Sequence, residues 1–326
     1  MFKRIVVPLD GCGFGDHAIR YATAIAQSAG AAIELVHVHV PAHLDGDPFT
    51  LTPYRFQGVV RYEADLEHGA LERDAERLDE RARRLAKATG LPVSSRLLAG
   101  RVDAAVEQEA AQFHADLIVM ATHARTGYAR ARLGSVGDAV VRLATMPVLL
   151  VRPLENGSEP ELPPHFASIV VALDGSAFSE QILEPAVGFA GLFDARLTLF
   201  HTPPDRPGRR HYNDRLRFAE EASRAGAGAQ YLRRIAARVE ARVPRVDIDV
   251  VTHEEPSTAI LYTANDRDAD LIAMATHGRG GMSRLLFGST TDLVLRQTHR
   301  PLLVARPVST AAFATSVPVY TDWVYS

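Results

Sequence analysis

Short apolar runs rich in β-branched residues recur along the chain and alternate with longer segments of helical period. The runs "IVVPL" (5–9) and "IVVAL" (169–173) are apolar at every position, the pattern of strands covered on both faces of a parallel sheet. Each leads through Asp-Gly into an alanine-rich helical segment and then a second strand, "AIELVHVHV" or "RLTLFHT". A long charged amphipathic helix is predicted next, Glu63 to Thr89 in the first instance and Arg215 to Arg242 in the second. There follow a short strand ("VSSRLLA", "VDIDVVT"), a helix, the strand "DLIVMAT" or "DLIAMAT", a loop, a helix and a closing strand, "PVLLVR" or "PLLVAR". This alternation predicts an α/β protein of two tandem Rossmann-like domains, each a five-stranded, mostly parallel sheet flanked by helices and joined by right-handed crossovers.

The two series are copies. Asp10 aligns with Asp174 and Gly134 with Gly288, offsets of 164 and 154, so the first copy carries ten extra residues between these landmarks, assigned to the region of "PAHLDGDPFTLTPYRFQGVV". A period near 160 is a whole domain rather than a solenoid unit. Domain 1 is expected over 1–152 and domain 2 over 165–306. The Pro-, Glu-, Gly- and Ser-rich stretch 153–164 reads as a linker, and 307–326, with Tyr320, Trp323 and Tyr325, as a C-terminal tail. The tail is expected to be disordered, or else to dock its aromatics on the body or on another subunit.

Composition narrows the function. In 326 residues, 47% are hydrophobic and 23% charged, and the net charge is -3, which offers no general attraction to nucleic acid or an anionic membrane. No apolar run is long enough to span a bilayer. The single cysteine, Cys12, excludes an internal disulfide framework. The start "MFKRIVVPLDG" lacks the pattern of a signal peptide, so a cytoplasmic location is expected.

Candidate chemistry gathers at the strand ends. In open α/β sheets ligands bind beyond the carboxyl ends of the strands, where the loops after the first and fourth strands of each copy lie. The second copy reads "DLIAMATHGRGGMSRLLFGSTTDLV" (270–294) and the first "DLIVMATHARTGYARARLGSVGDAV" (116–140). A helix starting near Gly288-Ser289 would offer unpaired N–H groups and a partial positive charge to a phosphate. Ala275, Gly278 and Gly288 would allow close backbone approach, and Ser289 could cap the helix or donate its hydroxyl.

These stretches resemble the nucleotide loop of the universal stress protein family, G-x2-G-x9-G-[ST]. Ala275, Gly278, Gly288 and Ser289 fill its places in domain 2; Ala121, Ala124, Gly134 and Ser135 fill them in domain 1, where two glycines are replaced. The resemblance extends over 4–152 and 168–306 and includes "VPLDG", "VALDGS", "LVHV", "LFHT" and both copies of "DLIxMATH", where x is Val or Ala. It implies adenine-nucleotide binding, with ATP bound mainly in domain 2 and accompanied by Mg²⁺ if a triphosphate is present. The implied contacts are Ala172, Asp174, Thr202, Met274, Ala275, Gly278, Gly288, Ser289 and Thr290 in domain 2, and Asp10, Val38, Gly134 and Ser135 in domain 1. It also implies an internal pseudo-dimer paired through the last strand of each copy, which leaves further homo-oligomers and an unknown protein partner open.

Each candidate has a plainer alternative. Asp10 and Asp174 could simply stabilise their Asp-Gly turns, and Ser135 could be a simple helix cap. His37 and His201 read as satisfied, partly buried histidines rather than metal ligands. His123 and His277 either shape the loop or touch phosphate, and Arg279 and Arg284 either steer polyphosphate or are solvated. Cys12 stands where domain 2 has Ser176 and reads as inert. No cluster has metal-ligand spacing, and no catalytic residue stands out. The expected activity is therefore regulatory, with at most slow ATP hydrolysis or self-phosphorylation. The alternative is a nucleotide-free scaffold of the same fold. A nucleotidyltransferase-like enzyme would show HxGH after its first strand, where this chain reads "DGCGFGDH" and "DGSAFSEQ".

Overall fold

The computed structural model describes residues 2–10, 15–39, 57–122, 135–152, 163–203, 214–253, 255–276 and 288–306; side chains at 57–68, 70, 135, 136 and 214–221 are not included. The first half runs β1 (Arg4–Leu9), α1 (Gly15–Ala29), β2 (Ala32–His39), α2 (Gln57–Thr89), β3 (Val93–Ala99), α3 (Val102–Gln112), β4 (Leu117–Ala121), α4 (Ser135–Leu143) and β5 (Val148–Val151). The second runs β6 (Ser168–Leu173), a 3-10 turn (Ser179–Ile182), α5 (Leu183–Phe193), β7 (Arg196–His201), α6 (Asp214–Val239), β8 (Val246–Val250), α7 (Pro256–Asp266), β9 (Leu271–Ala275), α8 (Ser289–Gln297) and β10 (Leu302–Ala305).

All ten strands form one sheet in the order β3-β2-β1-β4-β5-β10-β9-β6-β7-β8. The two halves meet at β5 and β10, which pair antiparallel with Leu302 opposite Leu150 and Val304 opposite Val148. Pairings within each half are parallel. The two five-stranded sheets are thus joined through the last strand of each copy, as the resemblance implies, and the apolar closing strands cover each other's edges, which removes two exposed ladders of backbone N–H and C=O groups. Arginines reinforce this seam in a reciprocal way. Arg152 donates to the carbonyls of Arg296 and Thr298 at the end of α8, at 3.4 and 3.1 Å. Arg306 donates to the carbonyl of Arg142 at the end of α4. Each cation thus meets the negative end of the other half's helix.

The duplication extends to backbone detail. Gly30 and Asp194 both take left-handed conformations (φ +62° and +50°), as do His114 and Asp268 (φ +53° and +44°). Asp116 accepts the Lys3 amide at 2.6 Å and Asp270 the Ala167 amide at 2.8 Å, so each fourth strand is tied to the entry of its first.

Each face of the sheet carries a core that crosses the seam. Ile5, Val7, Ile33 and Leu35 of the first half share one with Ile169, Val171, Leu197 and Leu199 of the second. Val6, Val36, Ile118 and Leu150 share the other with Val170, Ile272 and Leu302. Phe166, 1% exposed just before β6, packs edge-on against Phe189 and Phe193, with ring centroids 5.5 and 4.9 Å away, and tilts against Tyr21 of α1 at 6.1 Å.

Three helix boundaries differ from the sequence reading. α2 starts at Gln57 rather than Glu63, so four residues of the stretch assigned to the insertion belong to the helix. α6 runs from Asp214 to Val239 rather than from Arg215 to Arg242, and a turn follows in which the Arg242 and Val243 amides both donate to the Val239 carbonyl, at 2.9 and 3.0 Å, ahead of Pro244.

Candidate functional site

The loop after β6 is closed by its own hydrogen bonds. Asp174 Oδ1 accepts from the Ser176 backbone N–H at 2.9 Å and from its hydroxyl at 2.6 Å. The Ser179 N–H donates to Ser176 Oγ at 3.1 Å, while the Ser179 hydroxyl donates to the Ser176 carbonyl at 2.9 Å and accepts from the Asp174 N–H at 3.2 Å. Gly175 makes the turn possible at φ +84°, where a side chain would be strained. Asp174 therefore has the turn-forming role that the sequence allowed. Ser176 and Ser179, not singled out from the sequence beyond the match of Ser176 to Cys12, hold it there.

The adjacent strand end is pinned in the same manner. His201 is 5% exposed, and its Nδ1 lies 2.8 Å from the Leu173 carbonyl; His37 repeats the contact with Leu9 at 2.9 Å. A carbonyl can only accept, so each imidazole donates from Nδ1. Both histidines tie the second strand of their half to the first, which is the structural alternative. Thr202 follows His201, half-buried, and its hydroxyl is enclosed with no hydrogen-bond partner among the described residues. Val38 holds the corresponding place in domain 1 and is 9% exposed.

Tyr231 of α6 lies against this region, its ring 5.5 Å from that of His201. Burial raises the pKa of its phenol above the ordinary value, and the charges of Glu180 and Asp174 add to the effect. α6 comes close here because residue 228 is glycine: a Cβ would sit 3.0 Å from His201 Cδ2 and 3.1 Å from Val250 Cγ1. The sequence concealed Tyr231 in a helix dominated by charge; its one local signal is an aromatic next to the apolar stripe of Leu232, Ile235, Ala236 and Val239.

The floor between the loops is small and apolar. Ala172 and Met274 are register partners on β6 and β9, 8% and 5% exposed, and Ala275 ends β9 at 8%. α8 begins directly against this end: the Gly288 N–H donates to the Thr276 carbonyl at 2.8 Å and the Thr291 hydroxyl to the Ala275 carbonyl at 3.1 Å. Gly288, not Ser289, is the capping residue. Its backbone is extended (φ −55°, ψ 141°), its carbonyl accepts the first helical bond from Asp292 at 3.1 Å, and no side chain caps the helix. Ser289 is therefore the first helical residue and is exposed, with Thr290 half-buried behind it. The N–H groups of Ser289, Thr290 and Thr291 precede the first helical bond and have no acceptor within α8.

Asp174, Thr202, Ala172, Met274, Ala275, Gly288, Ser289 and Thr290 thus gather at the carboxyl ends of β7, β6 and β9. In domain 1, Asp10 follows β1, Val38 lies on β2 and Ser135 opens α4, with only its backbone described. Gly278, Gly134, Ala124, Cys12, His123, His277, Arg279 and Arg284 lie outside the described residues, as does the tail. Among the described residues no group of three His, Cys, Asp or Glu side chains could hold a metal, and no helix is long and apolar enough to cross a membrane.

Comparison with known proteins agrees with this architecture. A universal stress protein of Mycobacterium tuberculosis, Rv1996, is 28% identical over 315 residues, covering 93% of this chain and 94% of the relative. One of Mycolicibacterium smegmatis is 25% identical over 304 residues, covering 93% and 97%. The crystal structure of a universal stress protein from Archaeoglobus fulgidus shares the fold at a TM-score of 0.66 and 19% identity, covering 93% of this chain and 98% of that one. The model of the universal stress protein family matches twice, over residues 1–152 and 165–306, and the chain belongs to that family with its domain present in tandem.

Proposed function

We propose that domain 2 binds an adenine nucleotide, ATP first, in the crevice bounded by Asp174, Thr202 and the start of α8. The observation that carries this reading is the set of amides of Ser289, Thr290 and Thr291 behind Gly288, at the carboxyl end of β9, which have no acceptor within α8. Unpaired N–H groups and the positive end of the helix dipole suit phosphate oxygens, and Gly288 places no side chain in the way. The Ser289 hydroxyl, not used as a cap, is a further donor. The enclosed hydroxyl of Thr202, without a partner among the described residues, suits the edge of a base, and a buried polar group of this kind favours a ligand that satisfies it. Ala172, Met274 and Ala275 form a flat apolar floor. Asp174, at the end of β6, is the residue to which the family resemblance assigns the adenosine portion. A magnesium ion would arrive with the triphosphate, held mainly by phosphate oxygens and water.

Domain 1 is the weaker candidate, because its loop carries Ala124 where domain 2 has Gly278. We assign no general base, so turnover is expected to be no faster than slow hydrolysis or self-phosphorylation. Nucleotide would act by favouring one state of the protein, stabilising it in proportion to occupancy.

Calorimetric titration with ATP tests this on the wild type and on Gly278→Ala, which copies the residue of domain 1. One site per chain, weakened by about tenfold or more in the variant, is the expected result, equivalent to about 1.4 kcal/mol or more. No ATP binding by the wild type, and no nucleotide retained through purification, would leave the scaffold reading in its place.

A further inference from the structure

A hollow of about 290 Å³ lies between α1 and α5, with Phe2, Lys3 and Ala29 of the first half on one side and Gly188, Gly191 and Leu192 of the second on the other. None of the crevice residues lines it. Small-molecule sites start at about 300 Å³, so the hollow has room for one or two side chains rather than for a nucleotide.

The sequence of α5 opens it. Gly188 and Gly191 stand one turn apart on the same helix face, where α1 carries Ala24 and Gln27 at the offset of 164. A Cβ at Gly191 would meet nothing within 4 Å, so space remains above that face. Phe2 forms the floor: it is 2% exposed and packs edge-on against Phe189, with ring centroids 4.7 Å apart. Ala29 and Leu192 are half-buried at the walls, and Lys3 is exposed at the rim, its Nζ donating to the Ala29 carbonyl at 2.9 Å.

We infer that the C-terminal tail, 307–326, returns to the start of β1 and seats Trp323 in this hollow, where it touches both halves. The end of β10 puts the tail within reach. Val304 lies opposite Val148, Val148 beside Ile118, and Ile118 beside Val6, so the chain leaves β10 in the row that crosses the start of β1. Three strand spacings separate the two strands, about 14 Å. Twenty residues follow Arg306 and can span up to about 66 Å.

The chemistry of the tail matches the hollow. Its one charged side chain is Asp322, next to the single tryptophan of the chain. Trp323 presents its ring to Phe2 and Leu192 and its indole N–H to the carbonyls that end α1. Asp322 then meets Lys3, whose ammonium has donors beyond the one given to Ala29. A separate protein would fit less well, because a stable complex covers about 1,000 Å² or more and this hollow takes little beyond one ring. A tethered segment needs far less contact, since its effective concentration is on the order of millimolar.

Tryptophan fluorescence of the full chain tests this, because Trp323 alone supplies the signal. In the native wild type it should emit at shorter wavelength than in denaturant, and acrylamide should quench it several-fold less efficiently. Gly191→Leu fills the hollow and should return emission and quenching to solvent-like values, with circular dichroism reporting that the fold is kept. Asp322→Lys lies outside the folded body and sets a like charge against Lys3; it should also raise quenching. Solvent-like emission in the wild type would overturn the inference. So would shielding that Gly191→Leu or, should that variant not fold, Asp322→Lys leaves unchanged, since the tail would then rest elsewhere. Shielding that is lost on dilution would assign the hollow to the tail of a second copy and would equally overturn it.

Discussion

The hydroxyl of Thr202 is enclosed and has no hydrogen-bond partner among the described residues, beside a loop in which Asp174, Ser176 and Ser179 bond to one another. Asp174, Ser176 and Ser179 consume one another's donors and acceptors, and the two strand-end histidines are each committed to a carbonyl. Replacement of Thr202 by the isosteric valine should therefore leave the ligand-free protein as stable or up to about 1 kcal/mol more so, because it removes an unsatisfied group. The same change should weaken ATP binding several-fold. Denaturant unfolding and calorimetry on Thr202→Val check both, and unaltered affinity would remove Thr202 from the site. At this scale the sequence exposed Asp174 through its Asp-Gly turn, but not its partners. A serine two or five residues further on has no marking in the pattern until the loop folds back.

Among the elements, α8 and the Phe166 segment show how neighbours set a helix's role. α8 has nine residues and no side-chain cap, so its position comes from the Gly288 and Thr291 bonds to the end of β9. Phe166 lies outside any helix or strand, yet it fills the space between α1 and α5 and touches residues from both halves. Phe166→Ala should destabilise the protein by about 3 to 5 kcal/mol, the range for deleting a fully buried ring, measured as a shift in denaturation midpoint. A loss below about 1 kcal/mol would mean that the cluster closes over the gap. The strands were legible because an apolar run of five or six residues is a local signal. Tyr231 was less so, because α2 and α6 present so much charge that their narrow buried stripes are easily read as part of a solvated face.

For the whole molecule, the seam decides cooperativity. One sheet runs through both halves and each of its faces carries a core that crosses β5 and β10, so neither half can unfold without exposing apolar surface on the other. Scanning calorimetry should show a single transition, and a Gly/Ser insertion in the 153–162 segment should not divide it. Arg152→Ala/Arg306→Ala should lower the midpoint while keeping one transition, since the arginines reinforce a seam whose main strength is apolar burial. Two resolved transitions in the wild type would show that the halves are thermodynamically separate.

The sequence by itself determined the duplication and the order and type of the elements, because these are written in local period and spacing, and its motifs carried the resemblance that pointed to the family. Only the tertiary structure decided that arginines reach across to the opposite helix ends, that Gly288 rather than Ser289 caps α8, and that Phe166 bridges α1 and α5. Those outcomes depend on pairings between residues far apart in the chain, whose energies come from burial and charge at a shared position in space, and no period along the sequence records which residues will share it.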